Sequence, residues 1–200
     1  GYGLYNLAAC DHPLAEAGFN VLRLSASPTG NFGEYMVYDD FSALQILYEP
    51  SGAQGDYTAR YRPWEGGIVA DALVYSLTGF EPDAPARSAR LAPRLPNDWP
   101  WMRWKRLRVG ATRFDLAVDQ RGDRVRYVVG PTDGGALTIS LSAPLPACEL
   151  ERVVLDGRRL GPGEYLVLSP FGQTRVVLPG FAIGIGRQVD AVVDCSPIGS

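Results

Sequence analysis

Five side chains carry the chemistry that this sequence offers most directly. Glu34 stands in Gly33-Glu34-Tyr35, at the end of Pro28-Thr29-Gly30-Asn31-Phe32-Gly33-Glu34-Tyr35, with Asp39 a few positions on. Trp64 and Glu65 follow in Pro63-Trp64-Glu65-Gly66-Gly67, where an apolar helical pattern opens. A carboxylate on a glycine-flanked turn can exchange a proton with a bound reactant, and an indole offers a flat apolar face to a sugar ring. Together they can build one wall of a carbohydrate site. Each residue also has a plainer role. Glu34 can be a solvated loop charge, Asp39 a turn or cap residue, and Trp64 a core residue. Glu65 suits the dipole of a first helical turn whatever else it does.

Other chemistries are poorly supplied. The cysteines are Cys10, Cys148 and Cys195, and His12 is the only histidine. No CxxC pair exists, so a Cys/His zinc site is excluded, and nothing beside His12 resembles a nucleophile partner. No cofactor or metal is expected. His12 follows Asp11 and precedes Pro13, which reads as the capped start of a helix. Cys148 and Cys195 are expected either to form a disulfide or to stay as buried thiols, and the cellular compartment stays open with them.

The elements that must position these residues fall into two parts. Asp11 to about Leu24 and Trp64 to Leu77 read as helices, the second with Val69, Leu73 and Leu77 at i, i+4 and i+8. Gly79 and Pro82 stop it. Between the helices, residues 25 to 63 show no clear periodicity. Two helices and so long an irregular stretch cannot bury a core alone. Residues 1–85 therefore read as the last part of a larger helical domain, the rest lying upstream or on another chain. From residue 102 onward the pattern alternates, in Phe114–Asp119, Arg124–Val129, Leu137–Ser142, Arg152–Leu155, Tyr165–Leu168 and Arg175–Leu178. The alternation slips near Lys105-Arg106, as a bulge would cause, and Asp156-Gly157 reads as a hairpin turn. The expected fold class is α+β: a helical segment over 1–80, a linker and interface over 81–101, and an antiparallel β-sandwich over 102–200.

Charge divides the same way. The net charge of −3 hides three basic against eleven acidic side chains in residues 1–85, and sixteen against eleven in residues 86–200. An acidic first part repels phosphate, so nucleic acid is not expected as a partner. The basic excess of the second part is spread along strands, as on a solvated sheet face. No window reaches the apolar length of a membrane span, and Gly1-Tyr2-Gly3-Leu4-Tyr5 has no basic lead of the kind a signal peptide carries.

Gly33-Glu34-Tyr35, followed by Arg62-Pro63-Trp64-Glu65-Gly66-Gly67-Ile68, resembles the C-terminal end of the (α/α)6 barrel of inverting glycosidases, with trehalases and processing α-glucosidases the nearest in pattern. Leu91-Ala92-Pro93-Arg94-Leu95-Pro96-Asn97-Asp98-Trp99, then Leu107-Arg108-Val109-Gly110, is similar to the start of the β-sandwich that trails such barrels in glycoside phosphorylases. The resemblance spans roughly residues 27 to 130. Glu65-Gly66 departs from the Thr-Asn common in trehalases, so substrate identity does not carry over. It implies a glycoside hydrolase acting with inversion on a carbohydrate substrate, with Glu34 as general base. Tyr35, Asp39, Trp64 and Glu65 would line the substrate site. No general acid is found in these residues, so this chain alone is expected to be inactive. The rival expectation is a non-catalytic carbohydrate-binding or accessory β-sandwich module, using Trp99, Trp101 and Trp104. Interface packing is the plainer role for those three, and a purely structural interaction domain is a third possibility.

Overall fold

The computed structural model of this protein describes residues 1–25 and 63–197. The chain forms two compact units. The first holds helix α1 (Tyr2–Ala9), helix α2 (Ala15–Ser25) and most of helix α3 (Pro63–Thr78). Leu4, Ala8, Ala15 and Phe19 are buried on α1 and α2. Tyr5 stacks on Tyr75 of α3 with ring centroids 4.0 Å apart.

The second unit gathers residues 11–13 and 77–200. Its first strands are β1 (Glu81–Asp83), β2 (Ser88–Leu91), β3 (Trp101–Val109), β4 (Thr112–Arg121), β5 (Arg124–Thr132) and β6 (Leu137–Leu145). Then come β7 (Cys148–Leu155), β8 (Arg158–Arg159), β9 (Leu166–Leu168), β10 (Thr174–Val177), β11 (Phe181–Ile183) and β12 (Val189–Pro197). One sheet runs β1-β2-β6-β10-β9, with β11 also on β6; the other runs β3-β4-β5-β12-β7-β8. Among the named strands every pairing is antiparallel except β2 on β6. Each sheet buries alternate residues: Phe114, Leu116, Val118, Tyr127 and Val129 on one, Ile139, Leu141, Ala143 and Val176 on the other. Period-two alternation places these on single faces, the arrangement of a β-sandwich.

Local chemistry accounts for the turns. Asp156 and Gly157 both take positive φ, 52° and 80°, as the tight hairpin between β7 and β8 requires. The slip in β3 is a bulge: the register shifts between Trp104 and Leu107, and Arg106 N donates to Asp115 Oδ1 at 2.9 Å. Gly79 ends α3 with φ 54°, and a Cβ there would lie 2.7 Å from the Ala92 nitrogen, so no larger residue fits.

The expectation of an (α/α)6 barrel segment, and with it the likeness to inverting glycosidases, is overturned. The described residues contain three helices, and two sheets make up the larger unit. A glycine before a carboxylate and an indole at a helix start satisfy local backbone needs that recur in many folds. They say nothing about the long-range packing that closes a barrel. The sandwich part of the expected architecture agrees with the observed sheets.

Asp11 also departs from its expected role as a helix cap. It is 2% exposed, takes φ 56°, and belongs with the second unit. Its Oδ1 accepts from Arg94 Nη2 at 2.7 Å, and Oδ2 pairs with Arg175. A buried carboxylate needs such partners: Arg94 supplies a charge-assisted hydrogen bond and Arg175 an opposite charge beside Oδ2. Cys148 and Cys195 form a disulfide between β7 and β12, with Cα atoms 5.7 Å apart.

Candidate functional site

Glu34, Tyr35 and Asp39 lie outside the described residues. Trp64 and Glu65 fall in the first turn of α3, with their side chains outside the described part. None of these five side chains is therefore described. The tryptophans of the second unit are described, and they separate. Trp99 is half-buried in the turn closed by its own N–H to the Pro96 carbonyl, 2.9 Å. Trp104 stands opposite Leu116, which is 1% exposed, so its indole follows the inner face. Its Nε1 is buried and has no hydrogen-bond partner among the described residues. Trp101, three positions earlier, takes the opposite face and is 58% exposed.

Trp101 sits where the chain leaves Pro100 and enters β3, an edge strand of its sheet. The residue opposite it on β4 is Asp119. Arg103, on the same face of β3, reaches across to Asp119, with Nη2 donating to Oδ1 and Oδ2 at 3.0 and 3.1 Å. Its Nη1 donates to the carbonyls of Met102 and Val118 at 3.0 and 3.2 Å. These bonds fix the guanidinium 5.6 Å from the centroid of the Trp101 ring. A cation at that distance holds the indole by its quadrupole, and the rest of the ring stays open to solvent. The site thus offers an apolar plate bordered by a fixed donor and a carboxylate acceptor. That combination can recognise a ring with one apolar face and hydroxyl groups at its rim.

The alternation of β3 was readable, and it alone assigns Trp101 and Trp104 to different faces. The register on β4 was not, because the bulge shifts it, so Asp119 could not be placed beside Trp101. Among the described residues no group of three His, Cys, Asp or Glu side chains is arranged to hold a metal ion. No described helix is long and apolar enough to cross a membrane. No protein-family model matches the chain, and no curated protein matches it significantly.

Proposed function

We propose that this chain acts as a non-catalytic carbohydrate-binding or accessory module, with the outer face of the β3-β4-β5-β12-β7-β8 sheet as its binding side. What supports this reading is the open indole of Trp101, steadied by Arg103 and bordered by Asp119. A sugar ring lays its C–H face on such a plate, while its hydroxyls exchange hydrogen bonds with the guanidinium and carboxylate. Hydrolysis with Glu34 as base draws no geometric support, because every residue it invokes lies outside the described side chains.

The test is titration of the full chain with a panel of neutral and charged oligosaccharides, read by calorimetry and tryptophan fluorescence. Trp101→Ala should weaken binding at least tenfold, about 1.4 kcal/mol, with an unchanged circular dichroism spectrum. The reading fails if no saccharide binds, or if the variant binds as the parent does. Turnover of a glycoside panel by this chain would equally replace it with an enzymatic one.

A further inference from the structure

Beyond Trp101, the same sheet face carries a cross-strand row of three arginines and one aspartate. Register pairs Arg121 of β4 with Arg124 of β5, Arg124 with Asp194 of β12, and Asp194 with Arg152 of β7. Two arginines directly opposite on neighbouring strands repel each other. Asp194 relieves only one of them: Oδ1 accepts from Arg124 Nε at 2.7 Å and Oδ2 from Arg152 Nε at 2.6 Å. The hydrogen bond from Arg124 is the main reason that its carboxyl titrates below the usual range, although burial opposes the shift. Arg121, and Arg159 on β8, have no carboxylate partner among the described residues.

These side chains line a groove of about 540 Å³ together with Asp123 and Glu151. A bulge shapes it. The pairing of β7 with β12 shifts between Asp194 and Cys195, leaving Glu151 as the extra residue. The neighbours Glu151 and Arg152 consequently line one groove, which strict alternation forbids. Ser196 Oγ donates to Glu151, occupying that carboxylate. Four guanidinium groups face three carboxylates, and two of the carboxylates are already engaged. Each guanidinium carries five N–H donors, so most donors in the groove have no acceptor among the described residues. Their fork geometry matches a planar or tetrahedral oxyanion.

Trp101 and the groove lie on one sheet face. Trp101 pairs with Asp119, and Arg121 follows two residues later on the same face of β4. Strand rise and spacing put the Trp101 and Arg121 backbones roughly 8 Å apart. We propose that the Arg121–Arg124–Arg152–Arg159 groove is a subsite for the acidic group of a charged saccharide, a carboxylate or sulfate, whose ring rests on Trp101. The inference deepens the carbohydrate reading above and rests on it.

The experiment measures binding of the full chain to three oligosaccharides of equal length, one neutral, one uronate-containing and one sulfated. Each is tested at about 50 and 200 mM salt, since only charge-mediated binding weakens with screening. The double variant Arg121→Gln/Arg159→Gln removes no native ion pair and should leave the fold intact. At least one charged sugar should bind tenfold more tightly than the neutral one. The double variant should erase that advantage without changing neutral binding, and Trp101→Ala should weaken both. The uronate and sulfate arms identify the preferred acid. Equal binding of neutral and charged sugars, or an unaffected double variant, overturns the groove assignment while leaving the Trp101 reading in place. Charged binding that needs Arg121 and Arg159 but ignores Trp101, with no neutral binding, keeps an anion site and overturns the carbohydrate reading. No binding by any of the three overturns both.

Discussion

Replacing Asp11 by Asn isolates the most buried charge described in this molecule. Asp11 is 2% exposed, and its partners Arg94 and Arg175 keep side-chain exposures of 22% and 18%. Asparagine preserves the shape and one acceptor oxygen but removes the negative charge, leaving two guanidinium groups facing a neutral amide. Breaking a buried pair by removing one partner costs about 3–5 kcal/mol. Residual exposure lets water reach both arginines, which places the expected loss near the lower end, about 3 kcal/mol. For a unit of this size that corresponds to a fall in Tm of roughly 10 °C. The assay is urea and thermal unfolding followed by near-ultraviolet circular dichroism, at low and at 0.5 M salt (a ~3–5 Å Debye length). Screening should change the loss little, because the pair is shielded from solvent. A triple variant, Asp11→Asn with Arg94→Met and Arg175→Met, removes the two stranded guanidinium charges and should recover part of the loss, the buried amide still lacking its partners. A loss below about 1 kcal/mol in Asp11→Asn, the range of a surface pair, would refute the reasoning.

Acid should expose the Asp194 pairs in turn. The Asp194 carboxyl titrates below its unfolded value, chiefly through Arg124. Its contribution is therefore complete above pH about 4 and is lost as pH falls through the depressed folded value. Unfolding midpoints measured from pH 7 down to pH 2 should fall more steeply in the parent than in Asp194→Asn, and parallel curves would contradict the assignment. The Cys148–Cys195 disulfide joins positions 47 apart. Loop-closure entropy gives it about 4 kcal/mol, so a Cys148→Ser/Cys195→Ser variant should unfold at clearly lower urea. A difference under about 1 kcal/mol would show that the loop is already constrained when the disulfide is absent.

Several features could be read from residue order because they depend only on neighbours in the chain. Strand alternation in Phe114–Asp119 and Arg124–Val129 follows from the period of two, and the slip at Lys105-Arg106 marks the bulge. Asp156-Gly157 makes its turn because both positions tolerate positive φ. Part of the basic content lies on one sheet face, where Arg103, Arg124, Arg126 and Arg152 pair with Asp119, Asp190 and Asp194. The barrel expectation failed for the converse reason. It extended two local patterns to an arrangement that depends on helices distant in sequence.

The order of residues by itself determined β3 to β7, β9 and β10, several turns between them and the opposite faces of Trp101 and Trp104, since steric period and backbone preference act over a few residues, whereas β1, β2, β8, β11 and β12 were not read from it. Only tertiary structure decided that β2 runs parallel to β6, that Asp11 meets Arg94 and Arg175, and that Asp194 meets Arg124 and Arg152. Those contacts join residues as many as 164 positions apart, as Asp11 and Arg175 are. Their partners are selected by burial and charge in the assembled sheets, where desolvation makes an unpaired carboxylate costly and a shared guanidinium favourable.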